Sequence, residues 1–425
     1  MGDTVFTKFN ISTAPTGLIL DPNGQIIDWV VGYTPPPDTF LAKLQKSLQG
    51  VDTVKVLTER YAKDPKNIEV AFKLALKYDD QYSMRNKADE LFKKVIALDP
   101  EGKAGATQVE RVKDWVGYTE YAEFALAQRT AYGQKPDVAP LRAFVKKYPK
   151  GPLKREAYIY CNYYYQYFAP KEEAVKFFEE FAAQFPEDPS ALSAWVSKII
   201  KDKESLDKGL ELAERIRELT RYNPVSYYTQ DYAHLHLLKG NKEMADALYG
   251  KEFFKGQVGS LAGTLASYAR FWLDQKANLD SAQEAVEIAL KIAPDTAYMI
   301  DTAATFYVKT GKLTRALEIF GPAYVKKNAA NAAELYRYAY FWNQQGENLK
   351  SALEAGKKSA EFEPTYYRFD ILGQIQLKLK DFDGAIRSAE KALALAKEQA
   401  ARSPEFPVKR YEDNLKKAQD AKAKK

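Results

Sequence analysis

Two hydrophobic rhythms divide the chain. Near the start, apolar positions run in two short stretches, Gly17 to Leu20 and Gln25 to Val31, separated by Asp21-Pro22-Asn23-Gly24. Short apolar runs on either side of such a turn predict an antiparallel β-hairpin. Gly32-Tyr33 and a proline-rich step then lead into a helix from about Asp38 to Leu48. A hairpin and one helix are marginal alone, so Leu18, Leu20, Ile26, Trp29 and Val31 need a cover. The 38–48 helix and the first helices beyond it are expected to supply part of that cover, and a partner strand the rest. From about residue 53 the strand signal ends, and apolar positions recur every three or four residues, predicting helices throughout.

The helical part is self-similar. "AYMIDTAATFYVKTGKLTRALEIFGPAYVKKN" reads as an apolar helix, a turn at Lys309 to Lys312, and a second helix containing small Ala316. "SYYTQDYAHLHLLKGNKEMADALYGKEF" has the same grammar around Gly240 and Ala245, and "YYRFDILGQIQLKLKDFDGAIRSAEKALAL" repeats it with Gly373 and Ala385. The second-helix position recurs at Ala88, Ala174, Leu212, Ala245, Ala282, Ala316, Ala352 and Ala385, with steps after Ala174 of 38, 33, 37, 34, 36 and 33 residues. A proline closes five units twelve residues later, at Pro100, Pro186, Pro224, Pro294 and Pro364. A weaker unit ends at Pro149, with Asp137 at the small-residue position. These segments resemble tetratricopeptide repeats, which have a period of about 34 residues. The resemblance implies a mainly α fold, a solenoid superhelix of helical hairpins.

Physical reasons support the pattern without the name. A small anchor lets two helices approach, and first-helix residues such as Phe72, Tyr158, Phe306 and Phe369 fill the gap between neighbouring hairpins. Proline cannot continue a helix and fixes where each unit ends. A lone hairpin cannot bury its apolar face, so the hairpins stack. Leu212 replaces the small anchor, and Gly356 and Ser359 replace larger core residues, so irregular packing is expected there.

The opening segment, "NISTAPTGLILDPNGQIIDWVVGYTPPPDTFLAKLQKSL", resembles the C-terminal portion of thioredoxin-like domains. The likeness rests on Pro15 at the family's cis-proline position, on the hairpin, and on Gly32-Tyr33 before the last helix. It implies a cis Ala14–Pro15 bond. The family's cysteine pair has no counterpart here. The missing half either lies upstream or on another chain, or the segment is purely structural, and its strand edge is a candidate for self-association. The expected organisation is thus residues 1–50 as a partial thioredoxin-like segment and 51–68 as a connecting helix. About nine hairpins follow over 69–399. At 400–425, beyond breaks at Pro404 and Pro407, a polar capping helix and basic tail close the chain.

Composition narrows the function. The 425 residues carry 63 Lys and Arg against 57 Asp and Glu, a formal charge of +6. The final ten residues, "KKAQDAKAKK", hold five lysines and one aspartate, so the body is nearly neutral and shows no phosphate-binding stripe. Nucleic acid is therefore not the expected partner. A single cysteine, Cys161, excludes an intramolecular disulfide and a Cys-x-x-Cys pair. No apolar run approaches the ~20 residues that span a bilayer, and no leader pattern opens the chain. A cytoplasmic setting is expected, with a periplasmic one as the alternative if an upstream signal has been removed.

Candidate chemistry is sparse. Cys161 sits where a unit buries a small core side chain. His234 and His236 are two residues apart and do not converge as metal ligands would. "KTGKLT" at 309–314 lacks the first glycine of a phosphate loop, having Phe306 there, and reads as an inter-helix turn. Glu172-Glu173 and Glu179-Glu180 read as solvated outer faces. No metal, cofactor or catalytic residue is expected, and the chain is not expected to be an enzyme. The tetratricopeptide resemblance implies a concave face for ligands. Transferring that face by register places Tyr163, Tyr167, Tyr227, Gln230, His234, Phe271, Tyr298, Arg337, Phe341 and Tyr367 inward, a set rich in the residue types of binding hot spots. The expected function is a scaffold that binds a protein or extended peptide. A redox-silent thioredoxin-family oxidoreductase or chaperone is the alternative, and a structural subunit of a larger assembly another. On this reading, joint Phe271→Ala and Phe341→Ala substitution weakens partner binding by about 2 kcal/mol or more with helicity unchanged.

Overall fold

The computed structural model describes residues 8–9, 11, 13, 15–32, 37–109, 112–132, 135–222, 226–257, 261–402 and 406–424. Contacts divide the chain into two compact units, Met1–Leu219 and Thr220–Lys425.

The first unit opens with the expected hairpin, β1 (Thr16–Leu20) antiparallel to β2 (Ile26–Val31), with Leu18 opposite Trp29 and a bulge between Ile19 and Leu20. The Asp21 carboxylate accepts from the amides of Asn23 and Gln25, each at 2.9 Å, and Gly24 takes the turn's positive φ. Helices α1 (Pro37–Leu48), α2 (Val54–Lys63), α3 (Ile68–Asp79) and α4 (Arg85–Leu98) follow. The hairpin docks on these helices. Trp29 is buried, its Nε1 donates to the carbonyl of Lys77 at 3.1 Å, and its ring lies 6.4 Å from that of Tyr78.

The buried stretch of β2 is not the one that apolar positions suggest. Asp28, Trp29 and Val30 are all buried, while Leu20 is exposed and Leu18, Ile26 and Val31 are only half-buried. Asp28 can go inside because its charge is met there. Its carboxylate accepts from Ser47 Oγ of α1 at 2.6 Å, from the Val54 amide of α2 at 3.2 Å, and from Lys77 Nζ of α3 at 2.7 Å. One side chain thus joins the hairpin to three helices. The peptide bond before Pro15, expected to be cis, involves Ala14 and lies outside the described residues.

A second hairpin contradicts the expectation of helices alone beyond residue 53. Strands β3 (Ala106–Val109) and β4 (Asp114–Gly117) pair antiparallel between α4 and α5 (Tyr118–Arg129). Four residues per strand are too few for alternation to register in the sequence. Val109 and Val116 turn inward, and Gly105 is needed because a Cβ there would stand 2.7 Å from the ring of Tyr118. The unit continues through α6 (Ala139–Lys147), α7 (Lys154–Tyr167), α8 (Lys171–Gln184), α9 (Pro189–Asp202) and α10 (Leu206–Leu219).

All the secondary-structure elements described in the second unit are helices. It holds α11 (Ser226–Leu238), α12 (Lys242–Tyr249), α13 (Lys251–Gln257), α14 (Ala262–Gln275), α15 (Leu279–Ile292), α16 (Ala297–Lys309), α17 (Leu313–Phe320) and α18 (Pro322–Lys327). Then come α19 (Ala332–Gln345), α20 (Leu349–Phe362), α21 (Tyr366–Lys378), α22 (Phe382–Arg402) and α23 (Lys409–Ala423).

The repeat anchors are buried. Ala88, Ala174, Ala245, Ala282, Ala316, Ala352 and Ala385 have no exposure, and Leu212 is buried as well. Helices α4, α8, α15 and α20 each end two residues before Pro100, Pro186, Pro294 and Pro364. Pro224 lies outside the described residues. Asp137 is not an anchor. It is exposed ahead of the short α6, and its carboxylate accepts from the Ala139 amide at 2.8 Å, which makes it a turn residue.

One regularity spans two hairpins. The second helix of a hairpin breaks at Gly250, between α12 and α13, and again at Gly321, between α17 and α18. Each break releases a carbonyl from the helical ladder, and a tryptophan of the next helix takes it. Trp272 Nε1 donates to Tyr249 O and Trp342 Nε1 to Phe320 O, both at 2.7 Å. A Cβ at either glycine would lie within 2.3 Å of a backbone carbonyl oxygen, Asp246 O at 2.3 Å or Leu317 O at 2.0 Å. Below the tryptophans, Tyr268 bonds Ser281 at 2.8 Å and Tyr338 bonds Ser351 at 2.9 Å.

The last described helix is α23 (Lys409–Ala423). This α23 is less polar than its composition suggests, since it buries Tyr411 and Ala418. Arg410 and Asn414 donate to the buried carboxylate of Asp370 in α21, at 3.0 and 2.7 Å, and fasten the helix in place.

Candidate functional site

In the second unit, α11, α13, α14 and the start of α16 border an open cavity of about 890 Å³. Five of the ten positions assigned to the inner face line it: Tyr227, Gln230 and His234 from α11, Phe271 from α14 and Tyr298 from α16. Phe253, Gln257, Thr264, Ser267, Arg270 and Asp274 complete much of the wall. The first-helix residues meet because a helix repeats its face every three to four positions, which brings Tyr227, Gln230 and His234 onto one side of α11.

The wall mixes aromatic surface with hydrogen-bonding groups. The imidazole of His234 stands edge-on to Phe271, with ring centroids 5.9 Å apart. Tyr249 donates its phenol weakly to Gln230 Oε1 at 3.4 Å. The guanidinium of Arg270 lies 5.4 Å from the ring centroid of Tyr298. Burial opposes ionisation of Tyr298, but hydrogen bonds from Arg270 and Ser267 outweigh it and bring the phenol below its ordinary pKa. Among the described residues no carboxylate lies within ion-pairing distance of Arg270. Asp274, one turn further along α14, is reached by Lys309 at 3.4 Å.

The other expected positions are placed differently. Arg337 is tied into the fold. It pairs with Asp301, donates to Glu334 at 2.9 Å and to the Tyr324 hydroxyl at 2.6 Å, and stacks over the Phe320 ring at 4.7 Å. Phe341 is buried, with Phe320 and Trp342 each 5.1 Å from its ring. Phe271 borders the cavity but is only 5% exposed. Alanine at Phe271 and Phe341 would therefore empty core volume, and the pair does not isolate binding from folding. Tyr367 is half-buried against Tyr336, with centroids 5.0 Å apart.

Tyr163 and Tyr167 belong to the first unit, where they form an exposed aromatic ladder. Tyr132 lies 5.4 Å from Tyr163, which lies 5.2 Å from Tyr167 and 5.5 Å from Phe168. Lys201 sits 4.1 Å above the Tyr167 ring and donates to the carbonyl of Gln166 at 2.7 Å.

Several other sequence candidates resolve into packing. Cys161 is 1% exposed, and burial pushes its thiol up to about 12, so it is not a thiolate at neutral pH. Glu180 is half-exposed but is also bonded into the fold. Arg142 donates to it at 2.5 Å and Tyr158 bonds its other oxygen. These partners outweigh burial and hold its carboxyl below the usual range. His236 has a buried Nε2 with no hydrogen-bond partner, and burial lowers its pKa. The 309–314 stretch is the turn between α16 and α17, with Gly311 at positive φ. Among the described residues no group of three or more His, Cys, Asp or Glu is placed to hold a metal, and no helix is long and apolar enough to cross a membrane.

Sequence reasoning missed Phe253, Thr264, Ser267 and Arg270. Two of these are small polar residues whose importance lies in leaving space, which no motif announces.

No protein-family profile matches the sequence, and no curated protein of similar sequence was found. Solved structures align in part. A tetratricopeptide repeat protein from Parabacteroides merdae is 13% identical with a TM-score of 0.33, over 66% of this chain and 91% of that one. The APC/C hetero-tetramer Cut9-Hcn1 aligns at 13% identity and a TM-score of 0.31, over 82% of this chain and 63% of that one. A monomeric IFIT1 mutant with m7Gppp-AAAA aligns at 15% identity and a TM-score of 0.38, over 90% and 78%. At these scores the likeness carries no functional argument, and the hairpin architecture rests on this chain's own helices.

Proposed function

We propose that this chain is a non-enzymatic, tetratricopeptide-like scaffold that binds a protein or extended peptide, and that the cavity of the second unit is its principal contact. The observation that carries the reading is the cavity itself. A hollow of about 890 Å³ is lined by aromatic rings interleaved with amides and hydroxyls, the mixture that buries apolar area while satisfying a guest's backbone. Tyr227 and Tyr298 are the residues to test, because they are 50% and 41% exposed and can be truncated without opening the core. Affinity capture with the full chain as bait, compared with a Tyr227→Ala/Tyr298→Ala bait, checks the reading. Specific partners should fall at least tenfold in the variant while its helicity and melting temperature hold. Equal recovery by both baits contradicts the assignment.

A further inference from the structure

The cavity has a counterpart in the same unit, and the counterpart is full. Helices α11 to α13 recur as α16 to α18 with an offset of 71 residues, and α14 recurs as α19 with an offset of 70. The match extends to the glycine breaks, the tryptophans that cap them and the Tyr–Ser bonds beneath. Under this correspondence Gln230 stands where Asp301 stands in the later copy, Phe253 where Tyr324 stands, Thr264 where Glu334 stands and Ser267 where Arg337 stands.

In the later copy these four residues form one closed set. The Arg337 guanidinium lies over the rings of Phe320 and Tyr324, at 4.7 and 5.3 Å. It is neutralised by Asp301 and Glu334, and it donates to the Tyr324 hydroxyl at 2.6 Å and to the Ala297 carbonyl at 3.3 Å. In the earlier copy every member is replaced by a smaller or neutral one. The long planar side chain becomes serine, both carboxylates become neutral, and the ring remains as Phe253 without its hydroxyl. All four replacements line the open cavity.

We propose that the cavity is the vacated form of this position, and that a partner peptide fills it with a neutral, flat side chain bearing a hydrogen-bonding edge, of which tyrosine is the type. The inference rests on the scaffold reading above and names the group recognised. Shape follows from the filled copy, where a planar group lies on the rings of Phe320 and Tyr324; here Phe253, at the Tyr324 position, presents its ring to the cavity, backed by the buried Tyr249 at 4.5 Å. Charge follows from the substitutions. The two carboxylates that neutralise Arg337 have no counterpart at positions 230 and 264, so a guest cation would meet Arg270 with only Asp274, exposed and engaged by Lys309, to offset it. Arg270 is already engaged by Tyr298, over whose ring it lies and whose hydroxyl it bonds, so it is not left free to hold a guest carboxylate. Polar edges of Gln230, Thr264 and Ser267 meet the hydroxyl.

The test grafts the filled set into the open position of the full chain: Gln230→Asp, Thr264→Glu and Ser267→Arg. This combination already packs in the same unit, and a single Ser267→Arg variant provides a second block. N-acetyl-tyrosinamide, N-acetyl-argininamide and N-acetyl-glutamic acid α-amide are titrated by saturation-transfer NMR against each protein. The tyrosine probe should bind the parent chain at least tenfold more tightly than either charged probe. It should lose at least tenfold in both variants with unchanged melting temperature. Tighter binding of a charged probe, no binding of the tyrosine probe, or binding untouched by both variants overturns the proposal. Probe binding with the predicted selectivity, alongside equal partner capture by the Tyr227→Ala/Tyr298→Ala bait, would leave the site standing and remove the scaffold reading instead.

Discussion

Asp28 shows what one side chain can decide. A carboxylate with no exposure is tolerated in β2 because Ser47, the Val54 amide and Lys77 surround it. Removing the carboxylate leaves the buried Ser47 hydroxyl and Val54 amide without this acceptor and the half-buried Lys77 without its partner. Asp28→Ala should lower the stability of the first unit by about 3 kcal/mol, read as a shift in the denaturant midpoint, whereas a loss below about 0.5 kcal/mol would mean the pair is only a surface contact. Asp231 on α11 poses the opposite case. It is half-buried with no hydrogen bond or ion pair among the described residues, and burial raises its carboxyl to about 6. A carboxyl raised above its unfolded value favours the fold when protonated, and this contribution is lost as pH climbs from about 4 through 6. Asp231→Asn should therefore stabilise the protein at pH 8 and change little at pH 4; equal effects at both pH values would contradict the assignment. Cys161 should resist alkylation in the folded chain and react only on unfolding. Of these three, only the buried thiol was legible in the sequence. Asp28 sits in a strand whose apolar neighbours suggest a different buried face, and its partners come from three separate helices.

At the scale of elements, small residues do two kinds of work. The anchor alanines are fully buried, and their spacing announces them. Ala316→Leu should cost about 1–3 kcal/mol through overpacking. Gly321 is different, because a Cβ there would stand 2.0 Å from Leu317 O, so Gly321→Ala must displace the α17–α18 break. The indole of Trp342 satisfies the carbonyl that this break exposes. Trp342→Phe should cost about 1–3 kcal/mol, and a cost indistinguishable from zero in thermal unfolding would show that the carbonyl finds another donor. Gly356 forms the contrast. A Cβ there meets Ala339 and Leu372 at ordinary distances of 3.6 and 3.7 Å, so Gly356→Ala should stabilise α20 by about 0.5–1 kcal/mol. Helix positions and hairpin ends were readable because a period, a small anchor and a proline reinforce one another. The β3–β4 hairpin was not, being too short to impose a period. The two helix breaks escaped as well, since their meaning depends on a tryptophan twenty-odd residues away.

For the molecule as a whole, the repeat supplies a frame and its irregularities supply the candidate function. Five of the ten positions assigned to an inner face converge on one cavity, while Arg337 and Phe341 are absorbed by the fold. Register alone could place a face but could not say where along it space is left, because that depends on whether Ser267 or Arg337 occupies a position. The thioredoxin resemblance of the opening segment adds no chemistry to this account. The β1–β2 hairpin serves the first unit through Trp29 and Asp28. The most direct test of the scaffold is site-specific photocrosslinking in the native cell, with the photoreactive residue placed at Tyr227 in the cavity wall and, as control, at Tyr222, which is 86% exposed and outside it. Discrete protein adducts from position 227 that are absent from position 222 are the result predicted here. Adducts of equal yield from both positions, or none from position 227, would contradict it.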